Sequence, residues 1–178
     1  MVAEHDDTAH QALAMGLLAV GVLARFFPHP PNVTPIVAVA LLGGTYLSKG
    51  LGLALPLLTI VLSDVVLGLH EVVAFTWGSV VLIALLGWWI RKRPRTPRVL
   101  CAAWAGSSLF FLVSNFGVWL VGHSGTMYPK TAAGLWECYV AALPFYRNAL
   151  LGDLASTLGL FALYAWTRSH LFARSFSH

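Results

Sequence analysis

Long apolar runs alternate along this chain with short polar or proline-bearing breaks, and the breaks define the elements. A membrane-crossing helix needs about 20 mostly apolar residues at 1.5 Å rise each. The first run, Gln11 to Phe27, stops at Pro28. The following His29-Pro30-Pro31-Asn32 cannot extend it, because proline lacks the N–H and crowds the preceding turn. The second run, Val33 to Leu47, is rich in small residues and closes at Ser48-Lys49-Gly50. The third, Leu51 to Leu69, and the fourth, Val72 to Ile90, are separated only by His70 and Glu71, which predicts a tight antiparallel hairpin. A basic loop, Arg91 to Arg98, is broken by Pro94 and Pro97. The fifth run is Val99 to Val121 and the sixth Leu143 to Thr167, followed by a short polar tail. The longest connection, Gly122 to Ala142, contains a stretch from Thr131 that reads as a short interfacial helix capped by that threonine.

These runs predict an all-α integral membrane protein: one domain over residues 1–178 with six transmembrane helices, at about 11–27, 33–47, 51–69, 72–90, 99–121 and 143–167. The second is short enough to suit a re-entrant segment as well as a span. Composition agrees. Hydrophobic residues make up 58% and charged residues only 10%, where soluble domains carry about a quarter. The net charge of +4 does not point to nucleic acid, because Arg91, Lys92, Arg93, Arg95 and Arg98 gather in one loop between apolar runs. Cytoplasmic loops have this character. With six spans, eight Lys and Arg residues fall on one side and three (Arg25, Lys130, Arg147) on the other. Both termini are therefore expected in the cytoplasm.

The start, Met1 to His10, carries Glu4, Asp6 and Asp7 rather than a basic leader, so the first run is expected to be retained. Cys101 and Cys138 sit by opposite ends of predicted spans, which excludes a disulfide between them. Trp119, Tyr128, Trp136, Tyr139 and Tyr146 gather near the outer boundary, and Trp88 and Trp89 near the inner one, as aromatic belts do. Small residues at i and i+4, Ala12 with Gly16 and Ala102 with Gly106, mark candidate close helix contacts.

Polar groups within a bilayer are costly, so their positions carry information. Nearly all fall in the outer half: Arg25, His29, Asn32, Asp64, His70, Glu71, Asn115, Arg147, Asn148 and Asp153. That asymmetry predicts a polar cup opening outward over an apolar base. Asp64, Gly68 and Glu71 follow at i, i+4 and i+7, on one helix face, with Gly68 leaving room beside Asp64. Asp64 reads equally as a ligand contact or as an ion-pair partner of Arg147 or Arg25. Arg147 and Asn148 form a candidate binding cluster at the start of the sixth span, with snorkelling of Arg147 as the alternative. Asp153 lies about 240° around the helix from Arg147 and reads as a structural contact with a neighbouring helix. Asn115 reads as a hydrogen-bonding or packing residue between helices. His29, His70 and His123 share the outer side, but their spacing matches no metal motif, and no metal site in the protein itself is expected.

The stretches Arg25-Phe-Phe-Pro-His-Pro-Pro-Asn-Val-Thr-Pro35, Leu62-Ser-Asp64, Phe111-Leu-Val-Ser-Asn-Phe-Gly-Val-Trp119 and Leu143-Pro-Phe-Tyr-Arg-Asn-Ala-Leu-Leu-Gly-Asp153 resemble a bacterial family of small six-span membrane proteins. That family is similar to the substrate-binding S-components of energy-coupling-factor (ECF) vitamin transporters. The resemblance implies an outward-facing cup for a vitamin-like ligand, an energising transporter module as partner, and the bacterial inner membrane as location. It places His29, Asp64 and Arg147 at the border of the ligand. Some S-components, notably those for cobalamin, work alone, and cobalamin is the leading ligand by this resemblance. Those proteins place a cysteine near the cobalt around the third and fourth spans, whereas this chain has none between Lys49 and Leu100. His29, His70 or Cys138 would have to ligate a corrinoid cobalt instead.

The expected function is thus capture of a small solute from outside and its delivery inward. No Ser-His-Asp spacing, phosphate loop or dinucleotide motif is present, so neither catalytic residues nor a cofactor is expected. Two alternatives stay open: a scaffold or assembly subunit without a ligand, and an intramembrane lipid-modifying enzyme using Asp64, His70, Glu71 and Arg147.

Overall fold

The computed structural model describes residues 2–24 and 33–172. These form six helices: α1 (Val2–Ala24), α2 (Ile36–Tyr46), α3 (Lys49–Leu67), α4 (Val73–Ile90), α5 (Thr96–Gly125) and α6 (Ala132–Phe172). Four of them, over Lys49–Leu67, Val73–Ile90, Thr96–His123 and Ala132–His170, are long and apolar enough to cross a membrane. The apolar part of α1, Thr8–Leu23, and the whole of α2 are shorter.

Helix α2 is the axis of the bundle. Its 11 residues rise about 16 Å, roughly half the hydrocarbon thickness. Every residue from Ile36 to Thr45 is buried, and α1, α3, α4, α5 and α6 all pack on it. A helix apolar all round needs such an enclosure. The approach of α2 to α4 is at backbone contact. A Cβ on Gly44 would lie 2.0 Å from the Ala84 carbonyl oxygen, and one on Gly87 2.6 Å from that of Leu41. Thr45 Oγ1 donates to the Leu41 carbonyl at 2.7 Å, with the Gly87 carbonyl of α4 at 3.2 Å.

Arg91, the first residue of the basic loop, turns back onto the C-terminal end of α2. Its guanidinium donates to the Gly44 carbonyl, at 2.9 Å from Nη2, and to that of Leu47. Carbonyls that a helix end leaves unpaired are satisfied by a cation that also complements the helix dipole. Arg91 therefore closes the central helix as well as adding to the charge of the loop.

The inward faces of the longer helices mix small and polar residues with apolar ones such as Ile60, Val80 and Ile83. Helices α3 and α4 bury small and polar residues, such as Gly52, Ser63 and Asp64, and Thr76, Ser79 and Gly87. They expose large apolar ones, including Val65, Val66, Leu67 and Trp89. An exterior of this kind suits lipid, and small inward faces let helices approach closely. Of the two small-residue pairs, Gly106 sits at such an approach, where a Cβ would come 3.1 Å from Val37, while Gly16 faces open space.

Two differences from the sequence expectation concern helix ends. Thr131 does cap a helix, accepting from the Gly134 N–H at 3.1 Å. The helix is not a separate interfacial segment, however, but the start of α6, whose 41 residues run through Pro144. Proline within a membrane helix is tolerated where neighbouring groups satisfy the freed backbone. Second, α3 ends before Gly68, which adopts φ 111°, a conformation that costs glycine little. Asp64, Gly68 and Glu71 do not therefore share a continuous helix face. Gly68 turns the chain, and the space beside its Cα is open, with nothing within 4 Å of a Cβ placed there.

Candidate functional site

The helices enclose a cavity of about 340 Å³. Its residues come from the start of α2, the C-terminal half of α3, the first turn of α4, and the middles of α5 and α6. With His70, they place it toward the end of the bundle that carries the α3–α4 turn.

At the α3–α4 corner, Asp64 is buried at 5% exposure and accepts a hydrogen bond from Trp77 Nε1 at 2.9 Å. His70 Nε2 stands 3.9 Å from the same carboxylate oxygen, and its side chain is half exposed. The span pattern does not single out Trp77, although the hairpin contains the signal. Asp64 lies six residues before His70 and Trp77 six after Glu71, so a tight antiparallel turn brings them level.

One wall is aromatic. Phe110, Phe111, Phe145 and Tyr146 line it. The rings of Phe111 and Tyr146 pack at 4.7 Å between centroids, and the Tyr146 hydroxyl shares a hydrogen bond with Ser108 at 2.7 Å. Tyr146 is thus a partly buried lining residue that joins α5 to α6, not a belt anchor. Asn115 also lines the cavity and donates through Nδ2 to the Phe111 carbonyl at 2.8 Å, within its own helix.

At the inner limit of the lining on α5 and α6 stand Ser107 and Asp153, exposed by 2% and 5%. The Ser107 hydroxyl lies beside the Asp153 carboxyl. Its geometry nevertheless leaves it with no hydrogen-bond partner among the described residues. Buried hydroxyls are rarely left so.

Several expected site residues are not brought together. Arg147 and Asn148 are exposed on α6 and do not line the cavity. The 240° offset then explains Asp153: with Arg147 turned outward, Asp153 turns in. Gly68 and Glu71 stay in the exposed α3–α4 turn outside the lining. Cys138 is buried elsewhere, its thiol directed at the Asn115 carbonyl at 3.4 Å. His123 is exposed at the end of α5. Arg25, His29 and Asn32 lie outside the described residues. Among the described residues no three His, Cys, Asp or Glu side chains gather in a metal-holding group.

No curated protein and no solved structure matches the chain. Residues 6–174 match the model of DUF6580, a family of unknown function, and a match over nearly the whole length means that the chain belongs to that family.

Proposed function

We propose that this protein is a bacterial inner-membrane binding and uptake protein that captures a vitamin-like small solute in an outward-facing cup and delivers it inward. The observation that carries this reading is the cavity itself: about 340 Å³, with an aromatic wall and buried polar groups at its inner end. Small-molecule sites are concave, mostly apolar and set with a few polar groups, at roughly 300–1,000 Å³. A scaffold subunit has no use for buried carboxyls facing a void, which are costly to keep. A lipid-modifying enzyme using Glu71 and Arg147 would need them at the site, and neither lines it.

Six crossings with both termini inside fit this reading, with the short α2 enclosed at the centre of the bundle by α1 and the four longer helices. The basic loop then lies in the cytoplasm and the cavity toward the outside. In a background with Cys101 and Cys138 replaced by serine, single cysteines at His70 and Thr126 are expected to react with an impermeant maleimide in intact cells. One at Arg95 is expected to stay unlabelled until the membrane is opened. The reverse pattern removes the outward cup.

The volume favours a compact solute. A corrinoid is several-fold larger than the cavity, and Cys138 is not within its reach. His70 keeps cobalamin as a second reading, because its half-exposed imidazole lines the cavity and is available to a cobalt. Titration of the purified protein in lipid nanodiscs with a panel of water-soluble vitamins is expected to give saturable, submicromolar binding of at least one compact member. Binding of cyanocobalamin instead, abolished in His70→Ala, would select the corrinoid. No saturable binding across the panel would overturn the proposal.

A further inference from the structure

The inner end of the cavity indicates what kind of solute it takes, an inference that rests on the binding function proposed above. Two carboxyls line the cavity, and among the described residues no lysine or arginine does. Asp64 is engaged by Trp77 and His70. Asp153 lies deeper on α6, with the Ser107 hydroxyl beside it and that hydroxyl itself without a hydrogen-bond partner. A buried carboxylate is tolerated when a cation or several donors face it, and a buried hydroxyl when it is hydrogen-bonded. Both requirements are met by one group entering from the cavity: a nitrogen cation that donates to the carboxylate and to the hydroxyl oxygen. The faces of Phe111 and Tyr146 complement the same charge, since aromatic quadrupoles attract cations and flat rings stack on them. An anionic solute would meet the opposite conditions.

We infer that the cavity selects a compact, ring-bearing solute with a cationic nitrogen group, a protonated amine or a cationic N-heterocycle, received by Asp153 and Ser107.

The charge of one ring system can be varied with its size nearly fixed. Pyridoxamine, pyridoxine and 4-pyridoxic acid present a cationic, a neutral and an anionic substituent on the same ring, and thiamine adds a cationic heterocycle. Calorimetric titration of the protein in nanodiscs at pH 7 is expected to rank a cationic probe at least about tenfold above the neutral ring, with the anion weakest. That factor is the size of one charge-assisted hydrogen bond. Asp153→Asn is expected to erase the preference, and Ser107→Ala to weaken the cation about three- to tenfold while leaving the neutral ring unchanged. The wild-type ranking stands as a test even if Asp153→Asn fails to fold. Equal or tighter binding of the neutral or anionic ring would overturn the charge assignment and leave the binding function standing. No saturable binding of any probe, together with none across the wider vitamin panel, would remove both.

Discussion

Gly44→Ala is expected to abolish the native fold, although it adds one methyl group. The new carbon would sit 2.0 Å from the Ala84 carbonyl oxygen, 2.9 Å from its carbon and 3.0 Å from the Gly87 Cα. All three atoms belong to the backbone of α4, so no rotamer change relieves the contact and the two helices must separate. Separation weakens the Thr45 contact with the Gly87 carbonyl and pulls α2 from the helix whose end supplies Arg91. Ordinary overpacking costs about 1–3 kcal/mol. A backbone clash at the central helix belongs with the exceptional losses above about 4 kcal/mol. Gel filtration of detergent-extracted protein is expected to show aggregate in place of the monodisperse peak. Gly78→Ala is the control: nothing lies within 4 Å of its Cβ position, and helix propensity favours alanine by about 1 kcal/mol, so this variant is expected to match or exceed the native melting temperature.

Ala149→Trp is expected to remove solute binding while the bundle survives. Ala149 lines the cavity from α6, on the same helix as Tyr146 and Asp153 and between them. An indole there occupies much of the 340 Å³ that the solute would otherwise fill. The side chain enters existing space and, unlike a methyl on Gly44, need not displace backbone. Affinity is expected to fall at least about a hundredfold, the equivalent of roughly 2.7 kcal/mol, with the melting temperature of the unliganded protein changed by only a few degrees. A binding site elsewhere on the protein would be indifferent to this substitution.

How far the sequence foretold this structure depends on what kind of signal each feature left. The third, fourth and fifth apolar runs match α3, α4 and α5 within a few residues, because a bilayer-facing helix must be apolar over a fixed length. The start of α6 was not legible: Pro144 reads as a boundary by soluble-protein rules, and a membrane helix carries it through. The central position of α2 left only an indirect trace in its shortness and its small residues, since enclosure by five neighbours is a property of assembly. Arg91 illustrates the same limit. Its place in a basic cluster accounts for its charge, but nothing local announces that it closes the end of a helix more than forty positions earlier.

The residues expected to form a polar cup divide into two groups. Asp64, His70 and Asn115 do line one cavity, because intramembrane polar groups avoid lipid and collect where water or a ligand can reach. Arg147 and Asn148, drawn into the same expectation by their nearness to the outer boundary, point away. A long side chain near the boundary can reach the interface from the exposed face, and proximity in depth says nothing of facing. Asp153 reads as a structural contact because it lies about 240° around the helix from Arg147, yet with Arg147 exposed the same offset turns Asp153 into the cavity lining. Ser107 and the aromatic wall gave no such clue, since serine and phenylalanine are ordinary in any membrane helix.

Whether this cavity binds a small solute is decided by a paired titration of the native protein and Ala149→Trp in nanodiscs against the same vitamin panel. Saturable binding of a compact solute by the native protein is expected, lost in Ala149→Trp with the fold intact. Equal binding by both proteins, or by neither, would contradict that expectation.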